Sequence, residues 1–278
     1  IVASDAATSG LAPAYCTIDL NLPLEMPPHD LASLWEAIHQ ACEEIGMAIV
    51  TGHTGHYQGC NFPTVGGMTV ICLGDRHDYL VPSMARPGDD IVITKGVAIE
   101  TTGMLGAACH DRITESLGPE LAGAAAELFW EMSVVRDARI ANSVGVRGNG
   151  VTGMHDATER GVWNALCEIA EASGRGLVVD ETAVPIRPVV RAVCDLFGID
   201  PYTTSSEGTL LLTCTSAKTG EVLNALEEAG IPARRIGRMT PRDEGVRVVR
   251  EGREEPLLPP ESDPFWPAYS AALRGDTA

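Results

Sequence analysis

The sequence predicts an α+β protein of two lobes, and three observations support this fold class. The chain has 278 residues, which is enough for two domains of ordinary size, each with its own core. Hydrophobic residues make up 45% of it, a fraction typical of globular proteins. Strand-like and helix-like patterns follow one another in mixed order, without an internal repeat of 20 to 50 residues. The sequence therefore predicts two domains, each of which contains both helices and strands.

The first lobe is predicted to contain a mixed sheet with helices on one side. Its strands are predicted at residues 14–22, 47–50, 65–73 and 90–94. The first of them alternates apolar and polar side chains with strand period. A helix is predicted between Asp30 and Gly46, because apolar residues recur at helical spacing and glycine can end a helix. Residues 51–61 are predicted to form a loop.

The second lobe is also predicted to mix helices and strands. A long helix is predicted over residues 119–141, and glycines between 145 and 153 end it. The tail at 256–267 is rich in proline and is predicted to be extended on the surface. The remaining predictions are helices within 153–174 and at 188–197 and 219–229, strands at 176–179, 209–214 and 235–239, and a hairpin turn at Glu251-Gly252.

Charge and cysteine content exclude several classes of function. The formal net charge is -18, and such a surface repels nucleic acid and anionic membranes. No apolar run approaches the roughly 18 residues that a membrane-spanning helix needs. The eight cysteines are scattered without a CxxC pair, which favours reduced thiols in a cytoplasmic protein. We therefore expect neither nucleic acid nor a membrane as a partner.

Polar residues with chemical capacity stand at the predicted start of the helix within 153–174. His155, Asp156 and Thr158 come just before its apolar stripe. The first turn of a helix exposes unpaired N–H groups and the positive end of its dipole, which suits a phosphate. Asp156 or Thr158 can equally be simple N-cap residues. Glu207 precedes a buried strand, where a carboxylate can acquire a raised pKa and take a proton, or can form a cap or an ion pair.

A second candidate is the loop Gly52-His53-Thr54-Gly55. Small residues, N–H groups and a hydroxyl can cradle a phosphate, although the loop lacks the G-K-[ST] of a P-loop. With His56 and Cys60, His53 also forms an H-x2-H-x3-C array whose nitrogen and sulfur atoms suit zinc. Alternatively, His53, His56 and Cys60 are polar loop residues near a nucleotide, and the sequence favours this interpretation over a metal site.

Four segments carry a resemblance to a known family. They match in order D-P-T-R-G-G-L-x-x-x-L-N-E-I-A-E-x-S-G, V-P-V-R-E-x-V-x-x-A-C-E-x-L-G-L-D-P-x-x-x-A-N-E-G-K-L, N-D-(I/L)-A-x-x-G-A-x-P and G-(G/D)-(D/H)-T. In this chain they are HDATERGVWNALCEIAEASG (155–174), VPIRPVVRAVCDLFGIDPYTTSSEGTLLL (184–212), SDAATSGLAP (4–13) and GHTG (52–55). The chain thereby resembles the AIR synthetase (PurM-like) superfamily and, within it, the family of the hydrogenase maturation protein HypE.

The resemblance implies a PurM-like fold with domains at 1–107 and 108–278, although composition would also allow a boundary near 148. It implies ATP and Mg as cofactors, with Asp5 at the metal and the phosphates, and Glu207 as a candidate base. Nucleotide contacts are implied for residues 52–55, Asp156 and Thr158. It also implies a homodimer paired through the first-domain sheets. The glycine-rich segment of the family is not seen before Ile1, so we expect the numbering to begin inside the native chain.

Two departures bear on activity. The family's arginine position holds Glu159, followed by Arg160, which inverts a charge. The chain ends Arg274-Gly275-Asp276-Thr277-Ala278, without the terminal cysteine on which the family carries its thiocarboxamide. The resemblance therefore implies an enzyme that uses Mg-ATP to activate an amide or acyl oxygen of a small-molecule substrate or a protein-bound group. A kinase of the thiamine-monophosphate kinase type and a non-catalytic nucleotide-binding or scaffold protein are the alternatives.

Overall fold

The structure is a computed structural model that describes residues 1–274. Its strands are β1 (Pro13–Pro23), β2 (Ala48–Tyr57), β3 (Thr64–Cys72), β4 (Asp90–Thr94), β5 (Val151–Ala157), β6 (Gly176–Asp180), β7 (Thr209–Cys214), β8 (Ala233–Thr240), β9 (Val246–Arg250) and β10 (Arg253–Pro256). Its helices are α1 (Val2–Ala7), α2 (Pro28–Ile45), α3 (Ile99–Ala108), α4 (His110–Leu117), α5 (Pro119–Glu127), α6 (Val135–Ser143), α7 (Gly161–Ser173), α8 (Pro188–Phe197), α9 (Thr219–Glu228) and α10 (Phe265–Leu273).

The smaller sheet has the strand order β2-β1-β3. Strand β1 pairs parallel to β2 and antiparallel to β3, and α2 is the crossover that parallel pairing requires. The alternating residues of β1 bury one side against α2, namely Cys16, Ile18, Leu20 and Leu22. This confirms a mixed sheet with its helix on one face.

The larger sheet has the order β10-β9-β6-β8-β4-β7-β5. Its central strands are buried on both faces, because successive side chains point to opposite sides of a strand. Leu211 belongs to the core shared with α3, α7 and α8, whereas Leu210 and Leu212 belong to the core shared with α6 and α9. Helices therefore cover both faces of this sheet, and the α+β class is confirmed.

Strand β4 belongs to the larger sheet, where it pairs with β7 and β8. The prediction that residues 90–94 belong to the first lobe is therefore wrong. Continuous apolar character in Ile91, Val92 and Ile93 fits a strand buried on both faces. The chain passes from one sheet to the other between Cys72 and Asp90, and the domain boundary near residue 107 stays a prediction.

Two predicted segments differ from the structure. Residues 51–57 are not a loop, because β2 continues to Tyr57 in register with β1. The long helix predicted over 119–141 is interrupted between α5 and α6. There, the backbone of Phe129 passes so close to Gly103 that a Cβ on the glycine would lie 2.5 Å from Phe129 N. Between the two helices, the carbonyls of Glu131 and Ser133 accept hydrogen bonds from Lys95 Nζ, at 3.3 and 2.7 Å.

The tail does more than lie extended on the surface. Leu257 and Phe265 are buried in the core beneath α3 and α7, and α10 follows directly. The hairpin predicted at Glu251-Gly252 is confirmed, because β9 and β10 pair antiparallel around it. Among residues 1–274, no helix has the length and apolarity to cross a membrane. Residues 275–278, and with them the predicted lack of a terminal cysteine, lie outside the described part.

Candidate active site

Strand β5 and the turn that follows it form one wall of the candidate site. His155 and Asp156 lie in β5, where they pair with Leu211 and Leu210 of β7, so the prediction that they start a helix is wrong. Helix α7 begins later, and the residue at its N-cap is Arg160, in the left-handed region at φ 62° without a side-chain cap. Asp156 and Thr158 therefore do not cap this helix.

The turn is held tightly against the segment before β7. Gly161 has φ +66°, and a Cβ there would lie 2.6 Å from the carbonyl oxygen of Thr204, which leaves room only for glycine. The Thr158 carbonyl accepts from the Ser206 N–H at 3.2 Å. These contacts bring Asp156 and Glu207 to one place although they lie about fifty positions apart in the chain.

Helix α1 brings Asp5 to the same place. The Ser4 hydroxyl accepts from the Val134 N–H at 3.1 Å, which fixes α1 to the second lobe. The Asp5 carboxyl then stands close enough to Asp156 for the two groups to interact. Partial burial and then the charge of Asp156 raise the pKa of Asp5 to about 6. The sequence-predicted residues Asp5 and Asp156 are therefore neighbours.

His155 holds Asp156 in its ionised form. Its Nε2 lies 2.8 Å from Glu168 Oε2, and its Nδ1 lies 3.7 Å from Asp156 Oδ1. Burial disfavours the charged imidazole, but the interactions with Asp156 and Glu168 outweigh it and raise the pKa of His155 to about 9. The ring is thus protonated at neutral pH. Asn164 steadies the pair by donating to Glu168 Oε1 at 2.9 Å.

Glu207 closes the site from the side of β7. Its side chain is only 5% exposed, and its N–H donates to Glu100 Oε2 at 3.2 Å. Burial first, and then the charges of Asp156 and Glu100, raise the pKa of Glu207 to about 8. Gly208 follows at φ +98°, where a Cβ would lie 2.5 Å from the Glu131 carbonyl oxygen. Glycine is required here to turn the carboxylate inward.

Two buried carboxylate oxygens of this cluster lack a partner. Within the described residues, neither Asp156 Oδ2 nor Glu207 Oε2 receives a hydrogen bond, a costly state for a buried polar atom. A hard divalent cation would satisfy the Asp156 oxygen, since Mg prefers carboxylate oxygen, and a proton would satisfy the Glu207 oxygen, because the pKa of that carboxyl is raised to about 8. No set of three or more His, Cys, Asp or Glu side chains in residues 1–274 forms a metal site by itself. The cluster therefore fits a cation completed by phosphate and water.

The segment Gly52-His53-Thr54-Gly55 lies elsewhere in the protomer. It pairs with residues 18–21 of β1 in the smaller sheet and lines a separate cavity of about 270 Å³. Gly52 is required because a Cβ would overlap the Ile18 carbonyl. The prediction that this segment is a loop is wrong, because it continues β2 beside β1, and its binding of phosphate stays a prediction.

The H-x2-H-x3-C array does not form a metal site in the described structure. His53 Nε2 lies 3.0 Å from the Tyr57 hydroxyl. The Cys60 thiol donates to the Phe62 carbonyl at 3.0 Å. His53 and His56 share one strand three positions apart, and an odd spacing directs their side chains to opposite faces.

Sequence reasoning missed Asp263, which ties both turns of the site together. Its carboxylate accepts from the Arg160 N–H at 2.7 Å and from the Ser205 hydroxyl at 2.8 Å. It also caps the start of α10 by accepting from the Phe265 N–H at 2.8 Å. No local sequence pattern indicates that an acidic residue in a proline-rich tail contributes to the site. Glu168 and Glu100 were missed for a related reason, although Glu168 lies in register with the family motif.

Two family models match most of the chain. The N-terminal domain of AIR synthase related proteins matches residues 1–76, and the C-terminal domain of the same proteins matches residues 86–250. The division between them falls in the segment where the chain changes sheets.

Individual proteins agree with this match. The carbamoyl dehydratase HypE of Cupriavidus necator is 33% identical over 257 residues, which cover 90% of this chain and 66% of that protein. This chain thus spans slightly less than two thirds of that relative. The structure of E. coli HypE, a hydrogenase maturation protein, superposes with a TM-score of 0.76 at 26% identity, covering 96% of this chain and 80% of that one. A structure of HypE in complex with ATP gives 0.73 at 24% identity, covering 95% and 78%.

Proposed function

Because this chain belongs to the AIR synthase related protein family, we propose that it is an enzyme that uses Mg-ATP to activate an amide or acyl oxygen of a small molecule or protein-bound group. The single observation that carries the proposal is the convergence of Asp5, Asp156 and Glu207, with an unpartnered buried oxygen on each of the last two. Three carboxylates this close repel one another, and the repulsion is relieved if a cation joins Asp5 and Asp156 and Glu207 holds a proton. The HypE relatives, one of which has been solved with ATP, support the same reading.

Asp5 and Asp156 would hold the magnesium ion between them. His155 keeps Asp156 charged through its contact with Asp156 Oδ1, which leaves Oδ2 open. Asp5 supplies the second carboxylate, and a bound cation would lower its pKa again by opposite charge. When bound, Mg-ATP supplies an activated phosphoryl group. The phosphates would complete the coordination that the protein leaves open.

Glu207 would manage the proton of the reacting group. A pKa of about 8 places its titration close to physiological pH, where a general acid or base is most effective. The Glu100 carboxylate, which accepts from the Glu207 N–H, contributes to this raised value by its charge. A carboxylate in this position can release a proton to, or accept one from, a substrate that enters beside Asp156.

A calorimetric titration with ATP tests the function. We expect one site per chain in the presence of magnesium and a loss of binding when EDTA removes the metal. With an amide substrate panel, ADP and inorganic phosphate should be the products. Transfer of phosphate to the acceptor would instead support a kinase, and tight binding without turnover would support a nucleotide-binding protein. Absence of any magnesium-dependent binding would refute the proposal.

A homodimer is proposed through the uncovered face of the smaller sheet. Helix α2 covers the other face, and on the open face Tyr15 lies directly opposite Ile71 in the β1–β3 pairing. These side chains are 40% and 39% exposed, and apolar patches on a sheet face favour burial against a partner. Two such faces can stack to form a common core.

The eight cysteines are free thiols, and a cytoplasmic location stays a prediction.

Sedimentation equilibrium is expected to give about twice the chain mass of 29.4 kDa. Tyr15→Arg should shift the species toward monomer, because it places a charge in the centre of the buried patch. Trp130→Arg is the matched control, since Trp130 is 78% exposed in the larger lobe and should leave the mass unchanged. A monomeric wild type, or equal effects of the two variants, would contradict this interface.

A further inference from the structure

A separate cavity of about 340 Å³ lies beside the first residues of β5. It is bounded by the short turn Pro82–Met84, by β5 and by the end of α7. Three of its seven lining residues are arginines, namely Arg86, Arg147 and Arg175, and none is acidic. The chain has 38 acidic and 20 basic residues, so three arginines around one cavity run against its composition. A cluster of like charges costs repulsion that a bound anion would relieve.

Arg147 is held rigidly in this cavity. Its Nη2 donates to the carbonyls of Arg76 and Tyr79 at 3.1 and 3.0 Å, and its guanidinium lies 5.0 Å from the centre of the Tyr79 ring. Its backbone is in the left-handed region at φ 58°. The Nε–H is buried and finds no acceptor among the described residues. The carbonyls and the ring thus fix the position of a positive charge at the wall of the cavity, which lowers the entropy cost of binding an anion there.

Arg86 and Arg175 add two exposed guanidiniums to the same space. In the part of the chain that the structure describes, no salt bridge involves them or Arg147. The nearby acid is Asp89, which is buried and accepts from the Arg86 N–H and the Thr152 hydroxyl at 2.8 and 2.7 Å. Its charge lessens the repulsion but leaves the guanidinium donors of Arg86 and Arg175 unused.

This cavity is distinct from the carboxylate cluster. Thr152 lines the cavity, while Asp156 lies four residues later along β5, roughly 13 Å away at strand rise. Arg175 lies two residues beyond Ser173, the last residue of α7, whereas Gly161 begins that helix beside the cluster. A 13-residue α-helix spans about 20 Å. An anion held here would therefore be remote from Asp5 and Glu207.

We propose that the cavity formed by Arg86, Arg147 and Arg175 is a second anion site, which binds a phosphate group that is free or carried by a small metabolite. Guanidinium groups match the planar pairs of oxygens that phosphate presents, and several can share one dianion. The hydroxyl of Ser83 lies on the same wall and can add a hydrogen bond. Carboxylate ligands use fewer oxygens and would leave one guanidinium without a partner.

Calorimetry without magnesium tests the site, with inorganic phosphate and glycerol 3-phosphate as separate probes. We expect saturable 1:1 binding of at least one probe, and the tighter of the two identifies free or carried phosphate as the ligand. Arg86→Gln and Arg175→Gln should each weaken it about tenfold, which is the effect of losing one charge-assisted contact. Arg139→Gln removes an exposed arginine of α6, outside this cavity, and should leave the affinity unchanged.

Asp156→Asn separates this proposal from the magnesium site, since it should weaken Mg-ATP binding about a hundredfold or more and leave phosphate binding intact. Loss of phosphate binding in that variant would mean that the probe enters the carboxylate cluster, and it would overturn the inference. Failure of both probes to bind at millimolar concentration would overturn it as well, as would equal weakening by Arg139→Gln. Melting curves of each variant would establish that the fold is retained.

Discussion

Asp156→Asn is expected to weaken the binding of Mg-ATP by about a hundredfold or more. The substitution keeps the size of the side chain but removes the negative charge of the carboxylate. In the wild type, the buried Oδ2 of this carboxylate has no hydrogen-bond partner. A contact between a carboxylate and a cation is worth at least as much as a hydrogen bond to a charged group, which is about 2–3 kcal/mol. Titration calorimetry in the presence of magnesium measures the loss directly.

The control for this variant is Asp243→Asn. Asp243 is exposed in the short turn before β9, so the same chemical change there should leave Mg-ATP affinity unaltered. Asp5→Asn should resemble Asp156→Asn, because the two carboxyls stand together. Wild-type affinity in both cluster variants would show that the nucleotide binds elsewhere, and it would remove the central support for the proposed function.

Glu207→Gln is expected to change both turnover and the dependence of stability on pH. The folded protein raises the pKa of Glu207 to about 8 from the 4.5 of a free carboxyl. Between these values the native state binds a proton that the unfolded state has lost, so stability falls as pH rises from about 4.5 to 8. Glutamine is neutral throughout and removes this decline. Turnover of ATP should fall by roughly a hundredfold or more, as for loss of a general acid or base.

Melting temperatures in magnesium-free buffer test the stability effect. At pH 9 the Glu207→Gln variant should melt about 5 °C or more above the wild type, since the cost of a buried charge is on the order of a few kcal/mol. At pH 4.5 the two proteins should melt together. His155, whose pKa is raised to about 9, stabilises both proteins below pH 6.5 and ceases to do so as pH rises through 9. The difference between the proteins therefore isolates Glu207.

Glu261→Gln provides the matched control for the melting experiment. Glu261 is exposed in the tail before α10, and its substitution should leave the melting temperature unchanged at either pH. A wild type whose stability does not fall between pH 5 and 9, or a Glu207→Gln variant that gains nothing at pH 9, would show that Glu207 is charged at little cost. Glu207 would then be an ordinary ion-pair partner.

Local sequence patterns predicted those helices and strands that can be recognised from their own residues alone. Strand β1 alternates apolar and polar side chains because one face lies on α2, and β7 is a continuous apolar run because both its faces are buried. Helix α8 begins with Pro188 and ends before Gly198, two signals that act through the backbone of single residues. The same local character let β4 be recognised as a strand, yet could not show which sheet it joins.

Contacts with distant parts of the chain decided the remainder. His155 and Asp156 could be read as a helix start, because only pairing with β7 reveals that they belong to a strand. Residues 51–57 contain two glycines and no long apolar run, and only the backbone of β1 makes them a strand. The roles of Asp263 and Glu168 depend on partners that lie 103 and 13 positions away, namely Arg160 and His155.

By itself, the sequence determined the family, the α+β class, and the identity of the carboxylates Asp5, Asp156 and Glu207 as candidates for chemistry. Only the tertiary structure decided that these three meet, that two of their oxygens are buried without a partner, and that Gly52 to Gly55 stand in another sheet. The physical reason is that residue type and spacing act over a few positions, whereas burial and electrostatic repulsion depend on every segment that folding brings within a few ångströms. The pKa of Glu207, and with it the chemistry proposed here, is a property of that assembled environment.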